Sequence, residues 1–325
     1  MKAVGRIRRL LLLLGLVLLG VLLARIDLSP VFDQVRSLSW GLLILLFPCG
    51  LTTILDTVGW RYAFRGALLP LSILLPVRLA GKAFNTTSLT ATLGGEPVKI
   101  YLLHPQVSVE EGAASVVIDK TTALLAQICV LLLGIVFSPL VLPVGSPFVF
   151  GMVGLAILGA LAIAGFVMAQ RHGLFGRSLR ILNRLGFRWH GGLETAQGLD
   201  EAIATFYTIH RPRLALSYLF HLMGSLVGIV EVYLILWLLG FPISLTTAIV
   251  IEAFSSAIKA VGFLIPGAIG VEEGGNMAIF MALGLTAGGG LSFSVVRRIR
   301  ELVVVVVGLT ALAVVRRGRP IPHPG

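Results

Sequence analysis

At 325 residues, 57% of them hydrophobic and only 13% charged, the chain has too few polar groups to cover a water-soluble globule of its size. Its net charge of +11 would raise nucleic acid as a partner in a soluble protein. Here the basic residues collect beside apolar runs, in Lys2-Arg6-Arg8-Arg9, in residues 171–213 and in Arg316-Arg317-Arg319, where they act as cytoplasmic topology signals, so no nucleic-acid partner is expected.

The first apolar run, Leu10–Ala24, follows basic residues as a signal peptide would. It lacks a small-x-small cleavage pattern at Val21–Arg25 and reads as a retained span. Further runs long enough to cross a bilayer lie near 40–58, 116–138, 148–169, 213–240 and 299–315. Two stretches fit this pattern poorly. Residues 67–95 hold Pro70, Pro76, Arg78, Lys82 and the polar tract Asn85-Thr86-Thr87-Ser88; residues 245–288 hold Glu252, Lys259, Pro266 and six glycines from Gly262 to Gly284.

Charge counting treats both as broken hairpins that enter and leave on one side, although paired spans would keep the same parity. With the N-terminus cytoplasmic, a hairpin at 67–95 lets 116–138 exit and 148–169 return, so that Arg171, Arg177, Arg180, Arg184 and Arg188 stay inside. A hairpin at 245–288 then dips from outside, and 299–315 returns the C-terminus to the cytoplasm. Arg297, Arg298 and Arg300 fall on the outer side in this scheme and are its awkward item.

The expected architecture is an all-α polytopic membrane protein with about six full spans and two re-entrant hairpins, forming one transmembrane domain over 1–325. Halves 1–142 and 143–325 each read span, span, hairpin, span, an inverted repeat in hydropathy and charge without evident residue identity. The cytoplasmic segment 170–212 supplies an amphipathic helix near Gly173–Arg188, for anionic headgroups or for packing on the bundle, and a second helix near Leu193–His210.

Of 15 acidic residues, Glu96, Asp119, Glu231, Glu252, Glu272, Glu273 and Glu301 lie in or beside membrane segments, with Arg78, Lys82, Lys99, Lys120, Lys259, Arg297, Arg298 and Arg300 as basic partners. Carboxylates at bilayer depth cost several kcal/mol and usually face a cavity, a partner or a substrate. The breaks themselves are Gly94, Gly95 and Pro97 in the first hairpin and Pro266, Gly267, Gly270 and Gly274 in the second. Blander readings stand beside these: Asp119-Lys120 as an interfacial charge pair, Glu231 as a buried pair or a snorkelling residue, Glu272-Glu273 in an outer loop. Cys49 and Cys129 form no disulfide or metal spacing. His104, His210 and His221 show no ligand spacing and read as packing residues, so no metal or cofactor is expected. P-loop, DDxxD and GxSxG patterns are missing from the sequence, which argues against ATP-driven transport and common hydrolase chemistry.

At these residues the chain resembles the lysylphosphatidylglycerol synthase/flippase-like transmembrane family. The similarity runs from Trp60 to Val315 and rests on Val77–Asn85, Gly94–Lys99, Val117–Lys120, Ala260–Gly275 and Arg297–Leu302, the last two most like the hopanoid-biosynthesis-associated branch. Many relatives carry a basic residue where Glu272 stands. The resemblance implies the lipid-flipping bundle of the bifunctional synthases without their soluble aminoacyl-transfer domain, since the chain stops at Gly325 soon after the last span. The expectation is a non-enzymatic inner-membrane translocase for a hopanoid, another polar isoprenoid or a glycerolipid, with membrane lipids as partners. A homo-oligomer or association with lipid-synthesis proteins is compatible with it. Arg78, Lys82, Glu96, Lys99, Asp119, Glu231, Glu252, Lys259, Glu272, Glu273, Arg297, Arg298 and Glu301 are the expected substrate-binding set. The alternatives are a membrane adaptor docking enzymes through 170–212, or a headgroup-modifying enzyme using the acids as general acid and base.

Overall fold

The computed structural model describes residues 13, 17, 19–24, 28–38, 40–87, 94–143, 145–184, 192–241, 244–262 and 265–317. Of the first expected span, 10–24, residues 13, 17 and 19–24 are among them. Among the described residues the ordered elements are helical. They are α1 (Ser29–Ser37), α2 (Gly41–Arg61), α3 (Leu71–Thr87), α4 (Gly95–Leu103), α5 (Val109–Phe137) and α6 (Pro147–Arg171), then α7 (Leu174–Arg184), α8 (Gly192–Ile209), α9 (Arg211–Leu238), α10 (Leu245–Val261), α11 (Val271–Ala282) and α12 (Ala287–Arg317).

Among the described residues four segments, Gly41–Arg61, Val109–Leu140, Pro147–Arg171 and Arg211–Leu238, are long and apolar enough to cross a bilayer. This is an all-α, multi-pass membrane protein. Helix α12 is longer than any of the other helices, but Arg297, Arg298, Arg300 and Glu301 charge its first half. The apolar run read at 299–315 is therefore only the second half of a helix that begins at Ala287.

Each stretch expected to form a hairpin contributes to a pair of packed helices, and the first pair runs well past its expected end. Its ascending limb is α3; the returning limb is α4, which ends at Leu103, beyond the expected limit of 95. Residues 88–93 are outside the described set. Helix α4 rises roughly 13 Å and α11 roughly 18 Å at 1.5 Å per residue, well short of a ~30 Å hydrocarbon core. Glycine permits the close crossing of α3 and α4, because a Cβ at Gly95 would run into the Gly81 backbone carbonyl. In the second hairpin Gly267 (φ 66°) and Gly270 (φ 81°) adopt left-handed backbone, and the Gly270 N–H donates to Glu273 Oε2 at 2.7 Å, closing the first turn of α11.

Packing is reciprocal between the halves. Helices α2 and α9 cross each other, α3 packs on α12 as α10 packs on α5, and α4 lies on α5 as α11 lies on α12. The contacts of α1 with α12 and of α6 with α5 complete the pattern. Exchanging α1–α5 for α6 and α9–α12 leaves these pairings unchanged. The exchanged helices α2 and α9 run antiparallel, since Gly41 faces Leu238 while Gly59 faces Ser217 and His221. Two antiparallel equivalents require a two-fold axis perpendicular to their length. Small residues let the cross-half contacts close in: Gly308 of α12 abuts the Leu79 carbonyl of α3, and Gly134 of α5 abuts Ala253 of α10.

Helices α7 and α8 stand apart from this scheme. Asp200 of α8 accepts from Phe175 N–H at 3.0 Å and Gly176 N–H at 2.7 Å, capping the N-terminus of α7 from outside. The amphipathic segment read at 173–188 is therefore packed on α8, with Arg177 and Arg180 exposed; residues 185–190 are outside the described set.

Candidate functional site

A cavity of about 230 Å³ opens where α2, α9, α10 and α12 converge. Its wall carries Asp56, Lys82, His221, Glu231, Glu252, Arg297 and Arg300, with Thr52, Gln127 and Ser225 between them. Such a concentration of charge in an apolar bundle stands only where the charges are paired or solvated. Glu252 Oε2 accepts from Arg297 at 3.1 Å, and Ser256 donates to its other oxygen at 3.0 Å. Glu231 accepts from Arg300. Among the described residues the buried Nε atoms of Arg297 and Arg300 have no hydrogen-bond partner, and Lys82 enters the cavity without a salt bridge.

Behind one wall sits a second group. Asp119, 1% exposed, accepts from Arg78 Nη1 at 3.0 Å and contacts His221 Nε2 at 3.0 Å. The other ring nitrogen of His221 is 2.9 Å from Asp56 Oδ1, and Arg78 lies 3.7 Å from Asp56 Oδ2. Gly59 makes room for the ring: a Cβ there would sit 3.0 Å from His221 Nε2.

The two acidic breaks form separate clusters. Glu96 pairs with Lys99 and Lys120, each at 2.9 Å, while Asn85 donates to it and binds the Gly95 N–H. Lys99 also lies over the Trp60 ring at 5.3 Å. Glu272 and Glu273 meet Arg298 at 3.3 and 3.0 Å, and Glu301 joins Arg298 to Lys259.

The expected substrate-binding set is thus divided. Lys82, Glu231, Glu252 and Arg297 line the cavity, and Arg78 and Asp119 stand directly behind it. Glu96 and Lys99 lie in the first break; Lys259, Glu272, Glu273, Arg298 and Glu301 lie in the second. No single groove collects all thirteen. Asp119 and Lys120 do not form a pair with each other: neighbouring helical residues point some 100° apart, so one meets Arg78 and the other Glu96. Glu272 and Glu273, 3% and 6% exposed, are buried rather than looped out. Arg297, Arg298 and Arg300 are helical residues paired with buried carboxylates.

Asp56 and His221 were not legible as site residues. Asp56 is a lone acid in an apolar run, and a single histidine carries no spacing; only the crossing of α2 with α9 joins them.

Equivalent positions in the two halves carry equivalent pairs. Arg78 and Glu252 each lie seven residues after the first residue of their helices, Leu71 and Leu245. Asp119 and Arg297 each lie ten residues after Val109 and Ala287. The pair Arg78–Asp119 therefore corresponds to Glu252–Arg297 with its charges reversed. One residue into α4 and α11 stand Glu96 and Glu272; their partners Lys120 and Arg298 each follow the span residue just named, and this pair keeps its polarity.

Among the described residues no group of three or more His, Cys, Asp or Glu is arranged to hold a metal ion. Comparison with curated proteins and with solved structures gives no match. A family model described as the lysylphosphatidylglycerol synthase TM region matches residues 9–308, and with nearly the whole chain inside that match, this protein belongs to that membrane family, a domain linked to lipid handling.

Proposed function

We propose that the protein is a lipid translocase of the bacterial inner membrane that passes a polar headgroup through the central cavity while the acyl or isoprenoid tails stay in the bilayer. The carrying observation is the charged cavity at the crossing of α2 and α9, where the Nε donors of Arg297 and Arg300 have no partner among the described residues and Lys82 has no salt bridge to them. These donors suit a headgroup with anionic oxygens, and a hopanoid, another polar isoprenoid or a glycerolipid meets that description only if it carries one. The reciprocal packing supports an inverted repeat of halves 1–142 and 143–325, with both termini cytoplasmic and both hairpins re-entrant. Transport without catalysis is the reading favoured for the acids, because each is engaged by a basic residue rather than by a nucleophile.

Vesicles containing the purified protein and a fluorescent phospholipid test this by the loss of fluorescence to an impermeant reductant. Wild type is expected to expose the inner-leaflet pool, and Glu252→Gln or Arg297→Gln to slow that exposure about tenfold or more, on the order of 1.4 kcal/mol in the barrier. Protein-free rates from wild-type vesicles would sink the proposal. A second reading, docking of lipid-synthesis enzymes, is favoured by the exposed Arg177 and Arg180 on α7. Removing those charges would then abolish activity in cells while leaving vesicle transport intact.

A further inference from the structure

We infer that Asp56, His221 and Asp119 form a proton-binding site in the cavity wall, and that lipid movement is coupled to the binding and release of that proton. The inference rests on the transport reading and adds its driving ion.

The geometry carries it. Both ring nitrogens of His221 lie within 3.0 Å of a carboxylate oxygen, Nδ1 of Asp56 and Nε2 of Asp119. An ionised carboxylate can only accept, so both contacts are hydrogen bonds only if both nitrogens carry hydrogen, or if one carboxyl holds the proton instead. Either way the triad contains one proton more than a neutral imidazole between two carboxylates. The ring is 1% exposed, and burying two such contacts without that proton would oppose a lone pair to an anion.

Access and surroundings fit a working site rather than a sealed one. The Asp56 side chain is 27% exposed and lines the cavity together with the ring, whereas Asp119 is closed off. Proton entry consists of transfer from a hydronium ion to Asp56, breaking its O–H bond and leaving water, and on to the Nδ1 lone pair of His221, forming the N–H bond; release breaks that bond and returns the proton to water by the same oxygen. Charge among Arg78, His221, Asp56 and Asp119 sums to zero only with that extra proton present, since the Arg78 guanidinium from α3 and the proton then offset two carboxylates. From α3, Lys82 supplies a further positive charge, while Glu231–Arg300 and Glu252–Arg297 across the cavity compensate one another. The loaded state consequently has a positive charge to offer an entering anionic headgroup, which proton release withdraws.

The triad also ties three elements, with Asp56 on α2, Asp119 on α5 and His221 on α9. Losing the Nδ1 proton leaves His221 bonded to Asp119 through Nε2 and frees the Asp56 carboxylate from the ring. The corresponding latch of the other half, Glu252–Arg297, has no histidine, so proton occupancy acts on one latch of the two.

The test uses wild-type protein in vesicles with an imposed pH gradient. Initial lipid-exposure rates should change several-fold on imposing the gradient and relax when a protonophore collapses it; His221→Gln should show no response to the gradient, whatever its own rate. A wild-type rate indifferent to the gradient, or a His221→Gln variant that still responds, would overturn the inference while leaving translocation standing. Absence of lipid movement under every gradient would instead remove the transport reading. In that event magnetic resonance of histidine-labelled protein still decides the site, with the signal assigned by its loss in His221→Gln. Two protonated ring nitrogens at about pH 7.5, where a free imidazole is mostly neutral, uphold the proton site; a neutral ring unchanged in Asp56→Asn refutes it.

Discussion

The reversed pair is the most discriminating feature at the residue scale. Glu252 on a hairpin and Arg297 on a span repeat, with opposite charge, what Arg78 and Asp119 do in the other half. Breaking a buried ion pair by altering one partner costs about 3–5 kcal/mol, because the other charge is left stranded. Glu252→Arg alone is expected to lose stability on that scale and to lower the thermal midpoint in detergent. Adding Arg297→Glu should recover more than half of the loss, since that polarity is already accommodated at the corresponding positions. A double variant no more stable than the single one would contradict the equivalence. The same pair explains why the repeat could not be read from sequence: at the positions that matter most, Arg aligns with Glu and Asp with Arg, so chemically reciprocal sites compare as mismatches. Individual charged residues at bilayer depth were legible from their cost. Their partners were not, because Glu231 meets Arg300, and Asp56 meets His221, through helices distant in the chain.

For the helical elements, glycine contacts separate tight crossings from lipid-facing surface. A Cβ at Gly95 would enter the Gly81 carbonyl, whereas one at Gly151 or Gly154 on α6 meets nothing within 4 Å. Overpacking costs about 1–3 kcal/mol, so Gly95→Ala should destabilise by that amount and part α3 from α4. Gly151→Ala should be neutral or stabilising by about 0.5–1 kcal/mol through helix propensity. Denaturation in mixed micelles compares the two directly. The hairpins were legible at this scale because Gly and Pro punctuate them, yet the end of the first was misplaced: Gly94-Gly95 starts a second limb at the site where composition had marked a stop. Helix α12 was truncated for a related reason, since its charged first half interrupts the apolar run that a span predicts.

For the whole molecule, the proposed inversion of the halves would place the turn after each returning limb on opposite faces. The turn at His104–Gln106 joins α4 to α5, and that at Gly284–Thr286 joins α11 to α12. With Cys49 and Cys129 replaced by alanine, a cysteine at His104 should react with an impermeant maleimide only from the cytoplasmic side, and one at Thr286 only from the outside. Labelling of both from one face would show the hairpins to be arranged otherwise. Charge counting yields this parity because arginine enrichment is a bulk property of long segments, and the labelling tests it; the cavity arises from a crossing that no local pattern records.

A two-fold axis in the membrane plane reverses the component of any dipole along the membrane normal. The pairs Glu96–Lys120 and Glu272–Arg298 keep their polarity, so in the proposed inverted arrangement their normal components cancel. Arg78–Asp119 and Glu252–Arg297 exchange their signs, and the second reversal undoes the first: their normal components add. Rearranging these two latches together would therefore displace charge in one direction across the bilayer, where each elementary charge moved through the full field is worth about 2.3 kcal/mol per 100 mV. The reversed pair thus gives the transmembrane voltage a handle that a strictly self-similar pair of halves would lack.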